Sequence, residues 1–134
     1  MIRFSLLLAI LLALAGPVSA ADKSAVAPNA IELMLLGKWV GGPCMGTWTF
    51  AADWTFGVEN YSPGAIRFSG TWRVSRNSLP PTLSFVCKAS EEPTRIGRSW
   101  DVKIVSLNKQ AVEWLDLDEQ HLDERPNHYD RAKP

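Results

Sequence analysis

The stretch Ile66-Arg67-Phe68-Ser69-Gly70-Thr71-Trp72-Arg73-Val74-Ser75 decides the fold. Ile66, Phe68, Gly70, Trp72 and Val74 fall on one parity, and Arg67, Ser69, Thr71, Arg73 and Ser75 on the other. Strict period-2 alternation is the pattern of a strand with one dry face and one wet face. A helix would scatter the same apolar residues around its circumference. Gly70, in mid-strand, leaves room for a bulge, a bend or a large neighbour. Turn chemistry brackets the segment, with Ser62-Pro63-Gly64 before it and Arg76-Asn77-Ser78 and Pro80-Pro81 after it. The segment is read as a central strand of an antiparallel sheet.

Outward from this strand the chain reads as a meander. Asn29 is placed to cap a short helix, Ala30 to Leu36, with Glu32 in its first turn and Gly37 as its stop. Lys38-Trp39-Val40 starts the first strand and Gly41-Gly42-Pro43 breaks it. Strands are predicted at Gly46 to Ala51, Trp54 to Asn60, the Ile66 segment, Thr82 to Lys88, Arg98 to Leu107, Ala111 to Leu115 and Asn127 to Arg131. Short connections favour pairing between successive strands. Eight short strands and one small helix fit a closed barrel, because closure removes exposed edges; a two-sheet sandwich is the competing architecture. The fold class is therefore all-β, an eight-stranded antiparallel meander barrel preceded by a short N-terminal helix.

The beginning of the chain reads differently. Arg3, the apolar run Phe4 to Ala15 and the small residues Val18-Ser19-Ala20 form the pattern of a secretory signal peptide, residues 1–20, cleaved near Ala20. The apolar run is shorter than the roughly 20 residues that span a bilayer, so no transmembrane anchor is expected after cleavage. Residues 21–28 read as a flexible lead-in and 29–134 as one domain. The expected location is the periplasm or the medium. With 14 basic and 14 acidic residues, the charge balance points to neither nucleic acid nor an anionic membrane. Cys44 and Cys87 are the two cysteines. In an exported chain they are expected to form a disulfide, which would stabilise by roughly 4 kcal/mol; two free thiols are the alternative. Cys87 shares the parity of Leu83 and Phe85, so its sulfur is expected to face inward.

Several motifs resemble those of the small bacterial lipocalin-like (calycin) barrels. Gly37-Lys38-Trp39 after a short helix resembles their Gly-x-Trp opening, and Thr49-Phe50-Ala51-Ala52-Asp53-Trp54-Thr55-Phe56 resembles their x-F-x-x-D-G-T-F hairpin. Gly70-Thr71-Trp72-Arg73-Val74, followed by Asn77 and Leu79, resembles their G-T-W-x-V-x-G-N-x-L repeat, and Tyr129-x-Arg131 their closing strand. Trp54 and Arg76 each stand where the pattern has a glycine. The resemblance runs from about Leu36 to Arg131 and implies an eight-stranded barrel, often with a role in ligand binding.

An eight-stranded barrel is filled by side chains or holds one small ligand. Among the residues of inward parity, Trp39, Trp48, Phe56, Phe68, Trp72, Trp100 and Trp114 are the candidate ligand-binding set, with Phe50, Val58, Ile66, Val74, Leu83, Phe85, Val102, Ile104 and Val112 completing the interior. These aromatics read either as core or as pocket lining. Gly41, Gly42 and Gly46 would leave space at one mouth.

The most polar run is Asp116-Leu117-Asp118-Glu119-Gln120-His121-Leu122-Asp123-Glu124. It lacks the glycine of an EF-hand loop and any His-x-x-x-His pattern, so neither a metal nor another cofactor is expected. A solvated hairpin accounts for it. Asp116, Asp118, Glu119, Asp123 and Glu124 could also present an electrostatic contact to a basic protein. Outward-facing Arg67 and Arg73 have Asp101 and Lys103 as expected neighbours, and Arg95 and Arg98 read as a solubilised rim. The sequence has no Gly-x-Ser-x-Gly, no Walker loop and no Cys-x-x-Cys, so an enzyme is not expected. The expected function is an exported, monomeric barrel that binds a small hydrophobic ligand in or at its mouth. The alternative is a periplasmic protein-binding module, an inhibitor or immunity protein, using the 116–124 loop.

Overall fold

A computed structural model describes residues 28–75, 77–117 and 125–134. The calls on residues 1–20 and 21–27, on Arg76 and on Asp118 to Glu124 lie outside the described residues.

The first element is helix α1, Ala30–Leu35. It is held at its start by a reciprocal cap. The Glu32 amide donates to Asn29 Oδ1 at 2.9 Å and the Asn29 amide to Glu32 Oε2 at 2.7 Å, satisfying amides that a helix start leaves without internal partners. Eight strands follow: β1 Gly37–Gly41, β2 Gly46–Phe50, β3 Thr55–Tyr61, β4 Ile66–Val74, β5 Thr82–Ser90, β6 Ser99–Leu107, β7 Ala111–Asp116 and β8 Asn127–Arg131. Each pairs antiparallel with its sequence neighbour, and β8 returns to pair with β1, closing the barrel. The eight-stranded meander barrel with one short leading helix is thus present. Among the described residues no helix is long and apolar enough to cross a membrane.

The β4 alternation becomes burial. Phe68, Gly70, Trp72 and Val74 are buried, while Arg67, Thr71 and Arg73 are exposed. Gly70 sits where the register between β4 and β5 shifts, between Ser69 and Gly70. A Cβ there would collide with the Val86 carbonyl, so the two strands approach closely because this residue has no side chain.

One end of the barrel is shut by α1. The Trp39 indole donates to the Leu35 carbonyl at 2.7 Å. Arg131, from the last strand, donates to the carbonyls of Met34, Leu36 and Lys109 at 2.7, 2.8 and 2.6 Å. Gly37 makes this possible. It adopts φ +113°, and a Cβ on it would stand 2.9 Å from Arg131 Nη1.

Above this floor the lumen is filled by rings. Phe50 meets Trp72 edge-on at 5.2 Å between centroids, and Phe56 meets Phe85 at 5.1 Å. Trp48, near mid-height, reaches Phe85 at 5.3 Å, Trp114 at 5.6 Å and Phe68 at 6.0 Å. Edge-to-face pairs of this kind add about 0.5–1.5 kcal/mol to what burial alone provides.

Two expectations are corrected. Cys44 and Cys87 are both free thiols, not a disulfide. Cys44 lies in the turn between β1 and β2, beside Tyr61. Cys87 is buried in β5 opposite Gly70, its thiol directed to the Ala89 carbonyl at 3.4 Å. Going round the wall from β2 to β5 takes three inter-strand steps of about 4.8 Å each, whereas bridged cysteines need Cα atoms within about 6.8 Å. Inward parity, correctly read for Cys87, does not bring two sulfurs together.

Arg67 pairs with Glu91 at 2.9 Å and Arg73 lies 3.8 Å over the Trp54 ring; neither has Asp101 or Lys103 as its partner. The turn after β2 differs from a glycine turn in its side chain but not its backbone. Trp54 itself takes φ +68°, and its ring packs on Trp72 at 5.2 Å. Asp53 holds the turn by accepting from the amide and hydroxyl of Thr55.

Candidate functional site

The end opposite α1 is formed by the β1–β2 and β3–β4 turns, a 3-10 turn at Pro93–Arg95 between β5 and β6, and the strand ends at Asp116 of β7 and Asn127 of β8. Here the packing is incomplete. A cavity of about 290 Å³ opens at this mouth, just below the ~300–1,000 Å³ usual for small-molecule sites.

Its apolar floor is Trp48, Phe68, Trp100 and Trp114, with Tyr61 and Tyr129 rising from it. Trp100 stacks on Phe85 at 5.1 Å, and Trp114 on Tyr129 at 4.1 Å. Four of the seven candidate binding residues, Trp48, Phe68, Trp100 and Trp114, therefore line one space. The other three do not. Trp39 and Trp72 lie in the closed half, and Phe56 is packed among Phe68, Phe85 and Trp100. Gly41 and Gly46 line the opening as expected. Gly42 instead lies under Tyr129, where a Cβ would come within 2.5 Å of its hydroxyl.

The rim is polar. Arg95 and Arg98 stand on the connection between β5 and β6; Asp101 on β6 and Asp116 on β7 complete the lining with Asn127. Arg95 is fixed by Glu92 at 2.9 Å and lies 4.7 Å over Phe68 and 5.3 Å over Tyr61. Asp116 accepts from the Asn127 amide group at 3.0 Å. Arg98 and Asp101 make no ion pair among the described residues.

The two phenols remain protonated. Burial, above all, raises the Tyr61 pKa; the Cys44 hydrogen bond adds to it, Arg95 opposes it and Asp116 reinforces it. Burial likewise leads for Tyr129, with Asp116 next. Both hydroxyls are neutral at physiological pH and can donate or accept hydrogen bonds. The site thus offers aromatic faces, neutral hydroxyls and charges of both signs, an arrangement suited to holding an amphipathic molecule.

Tyr61, Tyr129, Arg95, Arg98 and Asp101 were not in the candidate set read from the sequence. Parity signals which face a residue takes but not its height along the barrel. Asp116 is the one member of the acidic run found at the site; Asp118, Glu119, Asp123 and Glu124 lie outside the described residues. No family model, curated protein or solved structure matches the chain.

Proposed function

We propose that this is an exported lipocalin-like binding protein that takes one small hydrophobic or amphipathic molecule at its mouth and performs no chemistry on it. The aromatic cavity carries this reading: a barrel plugged by rings over its closed half leaves about 290 Å³ open at one end. That volume suits a compact ligand rather than a haem or a retinoid. The Gly37-Lys38-Trp39 start and the Tyr129-x-Arg131 closing strand support the lipocalin-like assignment, and the Arg3 to Ala20 pattern supports export.

Titration of the intrinsic tryptophan fluorescence with 2-naphthol and with short fatty acids tests it. Saturable quenching is expected, since Trp48, Trp100 and Trp114 line the space. A flat response to every apolar probe overturns the reading.

One observation favours a second reading. Met45, Ile96 and Leu117, 66%, 50% and 42% exposed, stand on three of the connections around the same mouth. Apolar side chains on loops held by a rigid barrel suit a protein-binding module, an enzyme inhibitor or immunity protein of the cell envelope. Recovery of the same partner from envelope extract by the wild type and by a Met45→Ser, Ile96→Ser, Leu117→Ser variant counts against it.

A further inference from the structure

The mouth offers charges of both signs beside aromatic faces. Arg95 and Arg98 supply two cations from the connection between β5 and β6, while Asp116, on the inward parity of Val112 and Trp114, supplies a carboxylate from β7. A lining of this kind discriminates against a ligand of either single charge, because either the arginines or Asp116 would be left facing its own sign. A wholly apolar ligand gains nothing from these charges and binds through the rings alone.

The aromatic groups sharpen the choice. Trp114 and Tyr129, stacked at 4.1 Å, lie beside Asp116. Aromatic faces next to a carboxylate are the environment that holds an ammonium group, through the ring quadrupole together with the charge. The guanidinium side is built for an anion, since arginine presents a fork of donors that matches a carboxylate or phosphate. Arg95 is already oriented, by Glu92 and by the rings of Phe68 and Tyr61 beneath it.

We propose that the mouth cavity binds a small zwitterion, its anionic end at Arg95 and Arg98 and its ammonium end against the Trp114–Tyr129 face at Asp116. This rests on the binding function proposed above and names the class of ligand. An aromatic amino acid and a choline phosphate headgroup share this chemistry.

The test is calorimetric titration of the full chain with a matched set: phenylalanine, its cationic methyl ester, its anionic N-acetyl derivative, the neutral N-acetyl amide, and phosphocholine, with 2-naphthol as the uncharged control. A zwitterion is expected to bind at least about tenfold tighter than any singly charged or neutral member. Phenylalanine against phosphocholine then separates a free amino acid from a lipid headgroup. Arg98→Gln is expected to erase the preference over the ester, which lacks the carboxylate, and to keep the preference over the N-acetyl anion. Asp116→Asn is expected to do the reverse. Equal affinity for the zwitterion and the neutral amide overturns the inference. Binding of 2-naphthol with no binding of either zwitterion also overturns it, and leaves the binding function standing. Failure of all six ligands removes both.

Discussion

The guanidinium carbon of Arg131 lies 4.2 Å from the centroid of the Trp39 ring. This contact ties the last strand to the first, and the three carbonyls that Arg131 serves tie both to the end of α1 and to the turn before β7. Replacing Arg131 with methionine removes the charge and three hydrogen bonds, one of them part-buried, so a loss of about 1–2 kcal/mol is expected by urea denaturation. Arg131→Lys should recover only part, because an ammonium cannot serve three divergent acceptors from one plane.

Two glycines on neighbouring strands separate close approach from mere smallness. Gly70→Ala places a methyl group against the Val86 carbonyl, whereas nothing lies within 4 Å of a Cβ on Gly57. Gly70→Ala is expected to cost several times more than Gly57→Ala, or to prevent folding, in parallel thermal melts. Trp72→Ala, which opens a void beside Phe50 and Trp54, should cost about 3–5 kcal/mol.

Trp54 isolates backbone strain. Its φ of +68° is costly for any residue with a Cβ, by about 1–2 kcal/mol. Trp54→Gly and Trp54→Ala lose the same stacking on Trp72 and Arg73, yet only glycine relaxes the backbone. The glycine variant is expected to be the more stable of the two by about 1 kcal/mol; equal midpoints would contradict the assignment.

The cysteines give a chemical prediction. With both thiols free, reductant leaves the denaturation midpoint unchanged. A thiol-labelling reagent should modify Cys44 in the folded protein and Cys87 only after denaturation, because Cys87 is 0% exposed.

A pH dependence is expected on the outer wall. His128 Nδ1 lies 3.1 Å from Glu113 and Nε2 3.2 Å from Asp130, and these hydrogen bonds, Glu113 first, raise its pKa above 6.5. The imidazolium therefore contributes stability below the unfolded pKa, and the contribution is lost as pH rises through the elevated folded value. NMR titration should place the His128 midpoint above that of an unstructured peptide, and Glu113→Gln should lower it.

Much of the fold is legible in the residues themselves. The β4 parity, read over Ile66 to Ser75, became the strand Ile66–Val74, and Asn127 to Arg131 was placed without error. Alternation reports directly on burial, and Gly, Pro and Asn mark the turns. What alternation cannot report is stagger. Trp72 and Trp100 share a face, yet the tilt of the strands puts one in the packed half and the other at the mouth. The 3-10 turn Pro93–Arg95 aims Arg95 over Phe68, whereas in the sequence Arg95 read only as part of a solubilised rim. The disulfide expectation rested on two cysteines in a chain read as exported, and compartment does not fix a distance between two sulfurs.

The six tryptophans provide the most direct test of the central claim, that the mouth alone receives a ligand. In an NMR titration with 2-naphthol, the indole N–H resonances of Trp48, Trp100 and Trp114 are expected to shift while those of Trp39, Trp54 and Trp72 stay in place. Shifts confined to Trp39 and Trp72, or none at any concentration, would contradict the account.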